Sequence, residues 1–525
     1  MRKTILSIAL LLGISPVSTF AQTIYDGELI TNTELSGTAR FVGMGGALGA
    51  LGADISTMGT NPAGIGLYRS NDVNLTMGYQ MNEVKSNYLG NKIKASKNRT
   101  GLKTMGLVIS SNMHGSTVKY INFGFNYRRL NDFNRNSRMG GMLNMSPDGV
   151  VSITHIMDLQ ANAMDANGMD IAKEYEANRP LYNNPSIGWI GALGYEGLLF
   201  EKDEKGFFSY LPQPDALFIS QERGGIDSYD FNISTNLSDR FFLGLTIGAY
   251  DLDYRKYTYY DEGYGNNEYG LIHTDSEVNG SGFDFKLGAI IRPFETSPFR
   301  VGLAVHSPIF YKLTHYTDAM LESNISIDRT DFSKENMRFN KIYTSDDLGG
   351  RDYAFDYELR TPWKYNVSLG HNIGSHLAIG AEYEFQDFPS MKFSYDGGGG
   401  IGLINSTRSM LRSVHLFKLG LEYRIVPEFA FRAGYNLQTA SFKNEAYKDI
   451  PINSTITDLE FTNHNKARNT FTMGVGYAGK MFYSDLAFKF DNYKSKFKPF
   501  DDLELEWTEM TTNRSQILFT VGLRL

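Results

Sequence analysis

The chain has 525 residues, including 53 Gly, 35 Phe and 32 Tyr, and no Cys. A glycine and aromatic load of this kind favours a large β protein, and the missing Cys excludes a disulfide framework, thiolate metal sites and a lipid-modified cysteine. With 51 Lys+Arg against 58 Asp+Glu and no basic run, nucleic acid is not expected as a partner, because phosphate binding needs concentrated positive charge.

The N-terminus reads as an export address. Arg2 and Lys3 precede an apolar run from Ile5 to Ile14, and Thr19-Phe20-Ala21 suits a cleavage site, so residues 1–21 are expected to be a secretory signal. Ten apolar residues are too few to span a bilayer as a helix, and nothing downstream reaches the eighteen or so required. The mature chain is then either a soluble exported protein or a barrel in the outer membrane of a Gram-negative-type bacterium.

Period-two patterning separates these readings. From Thr470 to Tyr477 the residues Phe471, Met473, Val475 and Tyr477 share one face, with Thr470, Thr472, Gly474 and Gly476 on the other. The split recurs in Phe241 to Ala249 and in Phe429 to Leu437. A soluble sandwich also alternates. The connections favour a transmembrane barrel, since short turns alternate with long polar segments over an even number of strands.

About fourteen strands are predicted, at 72–84, 101–112, 118–131, 225–236, 241–256, 280–292, 299–312, 352–371, 376–388, 412–425, 429–441, 468–478, 481–493 and 514–525. The long connections are placed at 132–224, 257–279, 313–351, 389–411, 442–467 and 494–513. Both termini then face the periplasm. Lipid-facing Lys or Arg at midplane would cost roughly 2 to 4 kcal/mol each, which explains why Lys286, Lys418 and Arg432 fall on inward faces. Their inward partners are sought among Asp284, Glu382, Glu384 and Glu422. In the last strand Leu518 breaks the alternation.

Before the first strand, residues 22–70 carry Gly43-Met44-Gly45-Gly46-Ala47, then Asp54, then Asn61-Pro62-Ala63-Gly64. A dinucleotide loop would need a third Gly where Leu48 stands, and a preceding strand. Small residues instead allow close packing inside a lumen whose own wall is small, as Gly244, Gly248, Gly474 and Gly476 would make it. This segment is expected to be a plug, or hatch, ahead of a barrel spanning 71–525.

At these residues the chain resembles the FadL/TodX family of outer-membrane channels for hydrophobic compounds. The resemblance rests on Gly43 to Ala47, Asp54 and Asn61-Pro62-Ala63-Gly64, about thirty residues, with the fourteen-strand plan extending it over nearly the whole chain. It implies passive uptake of long-chain fatty acids or similar apolar molecules, which bind in the barrel and leave sideways after the plug shifts. Carried over, the side exit involves Asn61, Pro62 and Ala63 and the third strand, where Gly124 shares the inward face with Asn122 and Asn126 and would permit a kink. A barrel-assembly signal usually ends on an aromatic residue, and Leu525 departs from that detail.

The 132–224 loop is a candidate docking surface. It contains a helical pattern at Ile153, Ile156, Met157, Ala161 and Met164, and an apolar cluster that includes Trp189 and Phe200, candidate ligand contacts alongside inward Arg432. The same side chains would equally pack the loop on itself. No G-x-S-x-G or H-E-x-x-H occurs, and His306-Ser307 point to opposite faces of a strand, so no enzyme, metal or cofactor is expected. Implied partners are hydrophobic small molecules, outer-membrane lipid and lipopolysaccharide, and the barrel-assembly machinery. The alternatives are a general diffusion porin, a haem-binding barrel and an adhesive barrel.

Overall fold

The computed structural model describes residues 23–115, 117–147, 149–328, 331–446, 448, 451–462 and 467–525. The expected signal sequence lies outside the described residues. Fourteen antiparallel strands close into a barrel with N-terminal helical elements ahead of it. In chain order these are β1 (Asp72–Tyr88), β2 (Asn91–Asn112), β3 (Val118–Asp132), β4 (Asp215–Leu237), β5 (Phe241–Gly265) and β6 (Glu268–Ile291). Next come β7 in two pieces (Arg300–His306, Phe310–Ser326), β8 in two pieces (Tyr353–Arg360, Lys364–Ile373) and β9 (Leu377–Gln386, resuming at Lys392–Tyr395). The remainder are β10 (Val414–Val426), β11 (Phe429–Gln438), β12 (Arg468–Ala478), β13 (Phe482–Lys498) and β14 (Thr508–Arg524). Pairing of β1 with β14, from Asp72↔Arg524 to Asn87↔Glu509, closes the cylinder. Closure removes the two end strands that would otherwise carry a full row of unpaired N–H and C=O groups into lipid.

One wall face is apolar and exposed over a continuous belt. Leu243, Leu245 and Ile247 on β5, Leu419 and Leu421 on β10, and Phe471, Met473 and Val475 on β12 all point outward. Tyr79, Tyr229, Trp363, Tyr365 and Tyr423 add exposed rings to the same surface. This is a surface solvated by acyl chains with aromatic groups suited to the interface. The barrel therefore has the exterior of a transmembrane one.

Several segments expected as loops are strand. The connection between β1 and β2 is the two-residue turn Leu89-Gly90, with Gly90 at φ +92°, and that between β5 and β6 is Asn266-Asn267, both at positive φ. Long hairpins thus replace the connections predicted at 257–279 and, in large part, 313–351 and 494–513. Above the bilayer neither face has to be greasy, so the alternation that marks a strand fades while the hydrogen-bonded ladder continues. The third strand likewise resumes as Arg135–Met142 along β4, and β4 begins at Asp215, so both ends of the predicted 132–224 loop belong to the sheet.

What remains of that loop is a small dome. It contains α3 (Ile153–Ala166), a short helix at Ile171–Glu176 and a further helix at Trp189–Glu196, packed around Met157, Ala161, Ile187, Ile190, Leu193 and Phe207. Ser152 caps the Thr154 N–H, and its hydroxyl and the Ile153 N–H both donate to the buried carboxylate of Glu262 on β5. That contact fixes the dome to the barrel.

At the dome's edge Tyr182 donates to Glu196, and Asp347 accepts the Leu181 and Tyr182 N–H groups. Burial, then the neighbouring Asp347 and Asp346, push the Glu196 carboxyl up to about 7. A raised carboxyl favours the neutral form in the folded dome, so its contribution is complete below about 4.5 and is lost as pH rises through 7. Glu196→Gln is expected to flatten the pH dependence of dome protection between pH 5 and 8 by about 1 to 2 kcal/mol. Hydrogen exchange of residues 181–199 at the two pH values checks this; an unchanged pH dependence in the variant would count against it.

Candidate functional site: a plugged lumen beneath an apolar chamber

The segment from Thr23 to Ser70 lies inside the barrel. Its first helix, α1 (Ile24–Thr31), begins at a reciprocal cap in which the Thr23 N–H donates to Asp26 at 2.6 Å. The next, α2 (Ala39–Gly43), is capped by Thr38, whose Oγ1 accepts from the Phe41 N–H at 3.1 Å. Asp54 ties this region together. It accepts from the Thr38 hydroxyl at 2.8 Å and from the Ser56 N–H at 3.0 Å, starting the 3-10 turn Ile55–Gly59. Asn61 does the same for the turn Pro62–Leu67, accepting from the Ala63 N–H at 3.2 Å, with Pro62 in a first-turn position that needs no N–H.

The glycines serve close approach. Gly45 and Gly46 have φ of +61° and +75°, a region costly for other residues. Gly43 lies against Gly474 and the Arg432 side chain, and a side chain on Gly64 would overlap Thr57. From the wall side, a Cβ on Gly244 or Gly288 would overlap the Asn61-Pro62 turn, and one on Gly420 or Gly434 would overlap Met44 or Gly45. Plug and wall are therefore in backbone contact. Polar anchors supplement it: Asn61 donates to Ala289 O, and His306 Nε2 lies 2.8 Å from Thr60 O. Leu518, the apparent misfit of the last strand, points inward to meet α2 and its neighbours Phe41, Val42 and Met44. Its apolar side chain matches a plug where alternation predicted a polar lumen.

On β3, Asn122 donates to Ile65 O at 2.7 Å and to Tyr68 O at 3.1 Å, and Asn126 accepts from Thr104. Met58 occupies the space over Gly124. The ladders on both sides run through Asn122, Gly124 and Asn126 in constant register, and the shifts on β3 fall instead at Val118/Tyr120 and Arg129/Asn131.

Inward charges are paired. Lys286 contacts Asp230 at 2.7 Å and Asp284 at 3.0 Å, Lys418 contacts Glu382 at 2.7 Å, and Lys364 contacts Glu384 at 3.2 Å. Arg432 is held between Glu422 at 2.8 Å and Asp485 at 2.5 Å, with Arg40 of the plug also on Glu422. Around the plug these groups border a narrow space of about 100 Å³, lined by Thr60, Lys286, His306, Lys364 and Lys418 among others. A buried ion of this kind is stable only with its partner in place.

Above this charged layer the lumen changes character. Ile24 and Ile30 of α1 are buried among Leu130, Tyr250, Tyr311, Leu359, Phe388, Met391, Phe393 and Phe461. Tyr25 stacks on Phe442 with ring centroids 4.8 Å apart. The result is an apolar layer packed around α1, a chamber that α1 itself fills. Trp189 and Phe200 are not in it; they are almost wholly buried in the dome core, where Trp189 donates to Tyr182 O. Sequence reasoning missed Phe388, the last residue of the predicted strand 376–388, and Met391 and Phe393, which fall in the predicted connection 389–411.

No family model matches the chain, and no curated protein is detectably similar to it in sequence. Solved structures do match. A Pseudomonas aeruginosa FadL homologue aligns over 94% of this chain and 99% of its own at 14% identity, with a TM-score of 0.51. A deletion mutant of the TodX monoaromatic hydrocarbon channel aligns over 94% and 100% at 12% identity, with a TM-score of 0.50. Over most of its length this chain has the fold of the FadL- and TodX-type outer-membrane channels.

Proposed function

We propose that the protein is an outer-membrane channel for passive uptake of hydrophobic compounds such as long-chain fatty acids, with binding in the barrel, displacement of the plug segment and sideways exit. The observation that carries this reading is the apolar cluster packed around α1 above a charged, plug-filled floor. Burial of an acyl chain among these rings is favourable by roughly 0.8 kcal/mol per CH₂. Passage straight down would take the same chain past Lys286, Lys418, Arg432 and their carboxylates, where it gains nothing. Similarity in fold to proteins described as a FadL homologue and a monoaromatic hydrocarbon channel points the same way.

Sideways exit at the third strand has support of its own. Pairing of β2 with β3 ends at Thr104↔Arg128, although β2 continues to Asn91. Beyond that point side chains bridge the seam, Lys103 reaching Asp132 at 3.0 Å and Lys97 reaching Glu222 O at 2.9 Å. Ser36 donates to Arg129 O at 2.6 Å and Asn131 donates to Asn32 O at 3.0 Å, linking the segment after α1 to the register shift in β3. A ligand that moves α1 would therefore pull on the seam.

The full-length protein is expected to bind a fluorescent long-chain fatty acid saturably in detergent, with competition by unlabelled oleate and none by glucose. Non-saturable partitioning equal to that of empty micelles would overturn the reading. A diffusion porin would instead show no fatty-acid saturation and a wide polar path.

A further inference from the structure

The chamber borders a second discontinuity in the wall, on the side away from β3. Strands β7, β8 and β9 are all interrupted at one height, at Ser307–Ile309, at 361–363 and at 387–391, and each interruption contains a proline: Pro308, Pro362 and Pro389. Proline has no N–H to give a ladder, so three neighbouring strands lose donors together. Between β7 and β8 the break is still bridged, because Ile309 and Thr361 exchange hydrogen bonds at 2.8 and 3.2 Å. Between β8 and β9 the ladder stops at Lys364↔Gln386 and resumes at Arg360↔Lys392. Among the described residues no backbone hydrogen bond joins 361–363 to 387–391; the Ser390 and Met391 N–H groups turn back to Asp387 O and Phe388 O.

What fills this gap is apolar and belongs to the chamber. Phe388 and Met391 are fully buried, facing inward, while Trp363 and Tyr365 lie exposed on the lipid side next to it. The segment also touches α1 directly: Thr31 contacts Met391 Sδ at 3.1 Å, and a side chain on Gly27 would overlap the Phe393 ring. The helix thus packs against the part of the wall that lacks a ladder.

We propose that the gap between β8 and β9 is a lateral portal for apolar solutes, closed by Phe388 and Met391 while α1 is seated and opened when a solute displaces α1. The opening joins the ring cluster to the lipid at the height of Trp363, at the upper rim of the charged floor, whose space reaches Ile309, Thr361 and Pro362. This rests on the uptake reading above and adds a route that the third strand does not supply.

The chain has no Cys, so a staple can be placed without background. Arg360 and Lys392 are antiparallel partners at the upper lip of the gap, within the Cα separation that a disulfide spans. In outer-membrane vesicles containing the full-length protein, oxidised Arg360→Cys/Lys392→Cys is expected to take up oleate and naphthalene at least fivefold more slowly than wild type, with recovery on reduction. A control staple, Met81→Cys/Ser515→Cys across β1 and β14, should leave uptake unchanged. Phe388→Ala should raise uptake at least twofold, and heat-modifiable migration verifies folding of each variant. Normal uptake by the oxidised staple would overturn the portal while leaving uptake itself intact. Wild-type vesicles no faster than empty ones would overturn both.

Discussion

In planar bilayers the full-length protein is expected to show almost no current, and a version lacking residues 24–69 to show stable openings with at least about tenfold greater conductance. The expectation follows from how the lumen is filled. Backbone of the Asn61-Pro62 turn sits against Gly244 and Gly288, Met44 and Gly45 sit against Gly420 and Gly434, and α1 fills the chamber above. Removing that segment leaves a cylinder lined by Lys286, Lys418, Arg432, Glu382 and Asp491, which would hydrate at once. The barrel should survive, because closure between β1 and β14 uses residues from Asp72 onward. Equal large currents from both proteins would mean that the segment does not seal the lumen, and would turn the search toward small polar solutes.

The second large effect concerns Arg432. Its sequence position suggests an anchor for a ligand carboxylate, but in the lumen it is held by Glu422 and Asp485. Glu422 keeps Arg40 and Arg424 if Arg432 is removed, whereas Asp485 loses its guanidinium partner. Arg432→Met is therefore expected to destabilise the folded barrel by about 3 to 5 kcal/mol, the cost of an uncompensated buried charge. Adding Asp485→Leu should recover most of it. Thermal unfolding followed by heat-modifiable migration reads both. A single variant as stable as wild type but with weakened fatty-acid binding would restore Arg432 as a ligand contact.

Strand positions were legible because the membrane imposes a one-sided rule: every second residue must suit acyl chains, and charges must turn inward. Phe471, Met473 and Val475 obey it without exception, and Lys286, Lys418 and Arg432 obey the converse. Where the rule lapses, so did the reading. The hairpin extensions at 85–100 and 257–279 carry polar residues on both faces, and only their pairing partners identify them as strand. The plug was legible through its density of small residues, yet which wall glycine meets which turn was not, since that depends on contacts such as Asn61 with Ala289 across 228 positions. Leu518 looked like an error for the same reason: the surface it meets is brought from Phe41 to Met44.

The sequence by itself determined a closed barrel of about fourteen strands with a small-residue segment before it, because local alternation, proline and glycine positions and charge are properties of neighbouring residues. Only the tertiary structure decided that α1 fills an apolar chamber, that Trp189 and Phe200 build the dome core, and that Pro308, Pro362 and Pro389 interrupt three strands at one height. Those facts depend on register between strands and on packing across the lumen, and register is set by the sum of many hydrogen bonds and side-chain contacts that no single stretch of chain contains.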